Sequence, residues 1–407
     1  MGGAVCLCSG LEVEKSLGHG IGGYGAGGSW PLSGLGDVDL VEVLVEDRSI
    51  VISLLAWFRR TARDLPWRRT YDPYHVWISE IMLQQTQMER GVAYFLRWTK
   101  RFPDVRSVAA ADEQEILKLW EGLGYYARAR NLHRAAKVIA GELGGLVPCD
   151  YNELRQLPGI GPYTAAAIAS VAGNRDVPVI DANVMRVYAR LFDIALPVKS
   201  REGQRQIAAI AESLLPIGRA RVFNQALMDL GGLVCTPKAP RCETCPIAGV
   251  CLARQAGTVA ERPVVAEKKK IITVQKVAGI IRRQDLVFIQ QRRADDVWGG
   301  LWEFPGGELT AGVPADAVVR AIAADTGLIV RVVEALPTVV HHYTRYKIIL
   351  HPFLCDLQGQ HQPTLTNAVD FRWVDATELD RYAFPAGPRK LLEHLDRVNQ
   401  KLLTSLA

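Results

Sequence analysis

The sequence predicts a multidomain chain, an all-α domain followed by an α+β domain, and three observations predict it. Apolar residues recur at helical spacing from Ser49 to the cysteines near residue 250. The stretch from Ile271 onward alternates as strands do, and a run rich in charge with Gly257 and Pro263 separates the two. A length of 407 residues exceeds one comfortable core, so two domains plus tails are expected.

Residues 1–45 contain "GHGIGGYGAGGSWPLSGLG", without helical or strand period, and read as a disordered Gly-rich extension. Cys6 and Cys8 within it carry no assigned role. The helical domain is expected over 46–253. Ile50, Leu54 and Phe58, with Val51 and Leu55 beside them, give an amphipathic first helix from Ser49. Pro66 and Pro73 then break the chain into a loop carrying Trp67 and Arg68, and a helix from about Tyr74 places Glu80 among Trp77, Ile81 and Leu83. A carboxylate hemmed in by apolar side chains has its charged form disfavoured, so it stays protonated near neutral pH and can act as an acid. An ordinary exposed helix glutamate would read the same. Further on, Tyr125 and Tyr126 stand beside Arg128, Arg130, His133 and Arg134. Aromatic wedges next to phosphate-holding cations suit a protein that unstacks DNA. A solvated basic helix face with two packed tyrosines fits the same residues.

The stretch "LPGIGPYTAAAIASVAGNRDVPVIDAN" from Leu157 to Asn183 organises the domain. Pro158, Gly159 and Gly161 force a tight turn that needs glycine-permissive backbone, and an alanine-rich helix follows from Thr164. A helix start with exposed N–H groups cradles phosphate. Asp181, one helix and one short connection later, puts a carboxylate beside the DNA backbone so gripped, which suggests chemistry at a nucleotide sugar. A helix–helix turn followed by an N-capping aspartate is the plainer reading. Helical patterns continue through "REGQRQIAAIAESLLP" and "RVFNQALMDLGGLVCTP". Cys235, Cys242, Cys245 and Cys251 then follow with C-x6-C-x2-C-x5-C spacing. Four thiolates so close form one closed metal site, and loops of this kind wrap a cubane cluster as well as a tetrahedral zinc.

Residues 254–270 read as a linker. From 271 to 407 alternation in "ITVQKVAGIIRRQDLVFIQQRR" and "RYKIILHPFLCDL" gives strands, and "PADAVVRAIAADTG" gives a helix ended by Gly327. Composition limits the rest. An apolar fraction of 49% is that of a globular protein, and a net charge of +5 permits nucleic-acid binding without arguing for it. No segment approaches the ~18 apolar residues of a membrane span, and the first residues lack the basic start and apolar run of a signal peptide, so a cytoplasmic location is expected. Eight cysteines are too few for a disulfide scaffold.

Taken together, residues 49–252 resemble the helix-hairpin-helix DNA glycosylases of the endonuclease III superfamily, with "LPGIGPYT" as the hairpin, Asp181 as the family aspartate and the four cysteines as 4Fe-4S ligands. Within it, "LPWRRTYDPYHVWISEIMLQQTQ", "GLGYYARARNLH" and "FNQALMDLGGLVCTP" are similar to adenine DNA glycosylases of the MutY type. Residues from about 271 resemble that family's C-terminal domain, which shares the fold of Nudix hydrolases. The implied fold class is an all-α helix-hairpin-helix glycosylase domain with an iron-sulfur cluster loop, plus an α+β Nudix-like domain. The resemblance implies a monomeric, bacterial, nucleoid-associated protein that takes double-stranded DNA containing adenine opposite 8-oxoguanine or guanine.

By the same resemblance Glu80 protonates the flipped adenine and Asp181 meets the positive sugar. Asn183 and Tyr163 support them, Gln225 contacts the base, and Trp67 and Arg68 line its pocket. Gly159 and Gly161 belong to the DNA-gripping hairpin, while Gln85 and Tyr125 enter the duplex. Members that also cut the strand carry a lysine two residues after the second hairpin glycine, and Tyr163 stands there, which implies a monofunctional enzyme. In the Nudix-like segment Arg320, Gly327 and Leu328 remain, but Gly312, Ala321 and Ala324 replace glutamates that would hold Mg²⁺, and Asp325 is the one acid left of the last pair. That leaves 8-oxoguanine recognition as the implied role, with Tyr343, Thr344 and Arg345 in place of an aromatic-serine-histidine triplet. Three other readings compete: an endonuclease III-like remover of oxidised pyrimidines, a noncatalytic damage-binding module, and a Nudix-type nucleotide hydrolase.

Overall fold

The computed structural model describes residues 40–265, 270–359 and 361–392, with side chains from Arg48 onward. Most of the Gly-rich extension, with Cys6 and Cys8, lies outside the described residues, as do linker residues 266–269 and the last fifteen. The first helix, α1 (Leu40–Thr61), starts nine residues before Ser49, so residues 40–45 of the stretch read as disordered are helical. Leu40, Val41, Leu44 and Val45 repeat at helical spacing and continue the pattern upstream.

Ten more helices complete the domain proper: α2 (Pro73–Leu83), α3 (Met88–Arg101), α4 (Val105–Ala110), α5 (Glu113–Trp120), α6 (Ala127–Glu142), α7 (Tyr151–Arg155), α8 (Pro162–Val171), α9 (Ala182–Leu191), α10 (Arg201–Leu214) and α11 (Ala220–Leu233). Their starts are locally encoded. Asp72, Asp104, Asp112, Asp150, Asp181 and Ser200 each accept a hydrogen bond from an N–H in the first turn of the helix that follows. The helices build two cores. One, from α2 to α8, buries Trp77, Trp98, Trp120 and Phe102. The other, from α1, α9, α10 and α11, buries Trp57, Phe58, Tyr188 and Phe223 and reaches the cysteine loop. Truncating a fully buried aromatic such as Phe102 or Phe223 costs about 3–5 kcal/mol. A small cluster of Ala166, Ala167 and Val179, joined by Tyr163 and Met228, lies where α8 meets α11. The short α12 (Leu252–Gln255) follows the cysteine loop.

The C-terminal domain is a mixed sheet with the helix α13 (Pro314–Thr326) and, among the described residues, a further helical segment over 386–392. Its strands are β1 (Ile272–Arg283), β2 (Leu286–Arg292), β3 (Trp302–Glu303), β4 (Gly306–Glu308), β5 (Val330–Ala335), β6 (Val339–Tyr343), β7 (Tyr346–Leu357) and β8 (Ala368–Asp375). β1 and β7 pair in parallel from Ile272↔Tyr346 to Arg282↔Asp356, and the other pairings are antiparallel. Alternation sends Val277, Ile281 and Phe288 to the face covered by α13, and Ile280, Val287 and Ile289 to the other. The two domains share one compact unit from Asp47 onward. Leu301 and Ala383 of the sheet domain are buried in the core of the helical one.

Candidate active site

The N-terminal turn of α8 is a hairpin in which Gly159, at φ +75°, takes a left-handed conformation, and a Cβ there would run into Asn131. Gly161 is extended at φ −81°, so only one of the two glycines is needed for backbone reasons. A Cβ at Gly161 would meet nothing within 4 Å, which keeps the space before α8 clear. No side chain caps α8, in contrast to Asp150 on α7, so its leading N–H groups suit an external anion.

Two helices from the first core and two from the second converge beside this hairpin. Glu80 on α2 is only 6% exposed, so the exposed-glutamate reading does not hold. The Tyr163 hydroxyl on α8 donates to Glu80 Oε2 at 2.8 Å. Burial lifts the Glu80 carboxyl to about 7. The Tyr163 hydrogen bond opposes that rise, the nearby Asp181 charge adds to it, and the Arg68 cation opposes it. Burial, together with Glu80 and Asp181, drives the Tyr163 phenol well above its ordinary range, so Tyr163 stays a donor.

Asp181 is indeed the N-cap of α9, and that does not exclude a chemical role. Its Oδ1 accepts from Val184 N at 2.6 Å and its Oδ2 from Asn183 Nδ2 at 2.8 Å, so both oxygens are held in place. Asn183 Oδ1 in turn accepts from Arg186 Nη2 at 2.9 Å, and Arg186 Nε donates to Cys235 O at 2.8 Å. Gln225 on α11 is buried. Its Nε2 donates to Arg221 O at 3.0 Å, while Oε1 has no protein partner. Trp67 packs edge-on against Phe95. Arg68 forms a bidentate pair with Asp229 at 2.8 and 2.9 Å, and Arg63 binds the same carboxylate. Asp229 is fully buried; burial opposes ionisation, but the two arginines outweigh it and hold its carboxyl below the usual range. Sequence reasoning missed this residue, because its partners lie more than 160 positions away.

Gln85 and Tyr125 stand on separate loops, both with left-handed φ, +58° and +50°. Such non-glycine conformations cost about 1–3 kcal/mol each and persist only when neighbours enforce them. Arg128 is the enforcer. Its guanidinium donates to Ile81 O in the last turn of α2 and Gln84 O just after it, and to Leu123 O and Gly124 O on the other loop. Arg128 is thus a clamp and not the phosphate cation its basic surroundings suggest, and burial lowers it to about 10. His133 is buried, and Arg130 donates to Gly299 O of the sheet domain. Tyr126 is packed and Tyr125 is 36% exposed.

Tyr343 at the end of β6 brings its ring 6.1 Å from Tyr125 and 5.2 Å from Trp298. Thr344, at φ +52°, makes the turn into β7. Arg345 leans on its neighbour Tyr346, 5.4 Å from the ring. Asp325 is buried, and its Oδ2 accepts from Gln290 Nε2 at 2.6 Å while Oδ1 has no protein partner.

The four cysteines line one cavity with Arg190. Among the described residues no group of three His, Cys, Asp or Glu side chains is arranged to hold a single metal ion. Four thiols around one cavity are a donor set that an iron-sulfur cluster takes. Burial pushes the Cys245 thiol up to about 11, and the other three cysteines push it the same way, so four thiolates coexist here only around a bound cation. Arg190 Nη1 lies 3.4 Å from Cys235 Sγ as a donor. When bound, the cluster supplies a cross-link for the 235–251 loop.

This hairpin, the buried carboxyl and the cysteine loop define a helix-hairpin-helix base excision DNA glycosylase. Residues 78–216 match the HhH-GPD superfamily of base excision DNA repair proteins, residues 235–251 the iron-sulfur binding domain of endonuclease III, and residues 277–394 the NUDIX domain. The chain is 35% identical over 253 residues to the adenine DNA glycosylase of Buchnera aphidicola subsp. Schizaphis graminum, spanning 62% of this chain and 73% of that one. It is 31% identical over 398 residues to the adenine DNA glycosylase of Homo sapiens, spanning 83% and 72%, and 42% identical over 216 residues to that of Mycolicibacterium smegmatis, spanning 52% and 73%. The chain belongs to the adenine DNA glycosylase family. It is a DNA-binding repair enzyme whose cofactor is a 4Fe-4S cluster. No helix among the described residues is long and apolar enough to cross a membrane.

Proposed function

We propose that this enzyme hydrolyses the N-glycosidic bond of adenine paired with 8-oxoguanine or guanine in duplex DNA, as a monofunctional, monomeric glycosylase. The observation that carries the reading is Glu80, buried, held by Tyr163, lifted to about 7 and standing near Asp181. Adenine flips from the stack, at a cost of a few kcal/mol, into the seam between the two helical cores. Glu80 gives its proton to N7, the C1′–N9 bond breaks with its electron pair, and adenine leaves neutral. The sugar is then a cation, and Asp181 stabilises it or adds to it until water attacks C1′. Asn183 and Tyr163 hold the two carboxyls in register. The unpartnered Oε1 of Gln225 offers an acceptor to the adenine amine, and Trp67 and Arg68 wall the base. Gln85 and Tyr125 enter the duplex, Gly159 and Gly161 sit at the phosphate, and Tyr343, Thr344 and Arg345 face the base opposite.

Tyr163 occupies the place where a strand-cutting relative carries lysine, so no Schiff base forms. The test is single-turnover cleavage of duplexes with adenine opposite 8-oxoguanine, guanine or thymine, with and without alkali. Adenine loss from the first two, with strand breaks only after alkali, is expected. Tight binding without release from any duplex would refute the reading and favour a recognition module.

A further inference from the structure

The sheet domain is not merely tethered to the helical one. Glu121, just past α5, accepts from Arg389 Nε at 2.7 Å and Phe384 N at 3.0 Å through Oε1, and from Arg389 Nη2 at 2.8 Å and Lys118 Nζ at 2.7 Å through Oε2. Every direction of that carboxylate is used, and three of its four hydrogen bonds come from the sheet domain or its end. Arg389 also donates to Tyr382 O and Asp380 Oδ1. Gln114 on α5 repeats the pattern with an amide: its Nε2 donates to Gly300 O at 3.0 Å and its Oε1 accepts from Trp302 Nε1 at 2.9 Å. The Glu121 and Arg389 side chains are 15% and 19% exposed, half inside the joint where Leu301 and Ala383 enter the helical core.

The joint sits at the root of the loop that carries Tyr125. Glu121 flanks that loop on one side, and Tyr126 on the other donates its hydroxyl to Phe384 O at 3.3 Å. Arg130 holds Gly299 O, one residue from Trp298, which is itself in a left-handed conformation at φ +62°. Tyr125, Tyr343 and Trp298 therefore belong to two domains but are fixed to one frame, around a cavity of about 290 Å³.

We propose that Glu121 and Arg389, with Gln114, are positioning residues: they latch the sheet domain onto α5 and so hold the aromatic cleft through which the base opposite adenine sets the excision rate. This rests on the mispair reading above. The latch touches neither base nor sugar; it acts through the placement of Tyr125, Tyr343 and Trp298.

The test uses full-length, cluster-loaded protein and single-turnover adenine release opposite 8-oxoguanine and opposite guanine. Arg389→Ala is expected to lower the ratio of the two rates roughly tenfold, within the range that an ångström-scale misplacement produces. The loss falls on the 8-oxoguanine duplex, while the guanine duplex stays within about twofold. Arg389→Lys, which reaches one Glu121 oxygen at a time, falls between. Limited proteolysis of the 254–270 connection should quicken in Arg389→Ala, with unchanged cluster absorbance. If the ratio is unchanged in Arg389→Ala, or both rates fall equally together with the cluster absorbance, the latch is refuted. If the wild-type protein treats both duplexes alike, the latch alone is refuted; if it releases adenine from neither, the mispair reading fails and takes the latch with it.

Discussion

Replacing Glu80 by Gln tests the site on two readouts with opposite signs. The carboxyl is raised from 4.5 to about 7 chiefly by burial. A raised carboxyl means that the folded chain binds a proton more readily than the unfolded one, so wild-type stability falls as pH rises through that window. The full difference corresponds to about 3 kcal/mol, complete above about pH 7 and absent below about pH 4.5. The Glu80→Gln variant has no such titration. Its stability relative to wild type should therefore grow by roughly 2 kcal/mol between about pH 5.5 and about pH 8.5 in denaturant titrations. Activity moves the other way: adenine release from the mispair should be lost, with binding kept. In the wild type, single-turnover release at subsaturating enzyme should fall about tenfold per pH unit above about pH 7, where the free protein's acid is spent. A Glu80→Gln variant that keeps release within about tenfold, or whose extra stability is the same at both pH values, would refute the assignment of Glu80 as a buried acid.

Tyr163→Phe removes the hydrogen bond that opposes the rise of the Glu80 carboxyl, so the falling limb of the pH–rate profile should move to higher pH; a limb that stays or moves down contradicts the geometry. Asp229→Ala leaves Arg63 and Arg68 without their shared buried partner and should destabilise the chain by about 3–5 kcal/mol, measured by denaturant midpoint. Cys235→Ser should abolish the brown colour and reduce iron from roughly four per chain; a colourless wild type holding one zinc would overturn the cluster.

Local signals carried the helices and missed what joins them. Asp72, Asp112, Asp150 and Asp181 cap their helices through N–H groups two or three residues away, and the apolar period of α1, α10 and α11 is visible within a few turns. Within the sheet domain, β3 and β4 have two and three residues, too few to show any alternation. Glu80 illustrates the boundary. Trp77, Ile81 and Leu83 hint at its burial, but its donor Tyr163 lies 83 residues on, and no local pattern distinguishes it from a surface glutamate. Arg68, Arg128 and Arg130 show the converse. Their charge suggests ligand contact, while the structure engages Arg68 with Asp229 and Arg128 with four carbonyls, choices fixed only by tertiary packing.

One helix explains why the carboxylate and the cysteine loop occur together. Asn183, Arg186 and Arg190 are spaced three and four apart, so they share a face of α9. From its capping Asp181, that face runs through Asn183 to Arg186, which donates to Cys235 O and Gly231 O, and to Arg190, which donates to Thr236 O and Pro237 O. Both guanidiniums depend on carbonyls that the cysteine loop and its approach present in fixed directions. A loop released from its cluster would leave two part-buried cations short of acceptors, at a cost of about 1–3 kcal/mol for each group so stranded. Relief would come by moving Arg186, and with it Asn183 and the oxygen of Asp181 that Asn183 holds. The cluster therefore bears on the carboxylate through hydrogen bonds and geometry, so its loss should be read in the rate of adenine release as well as in stability.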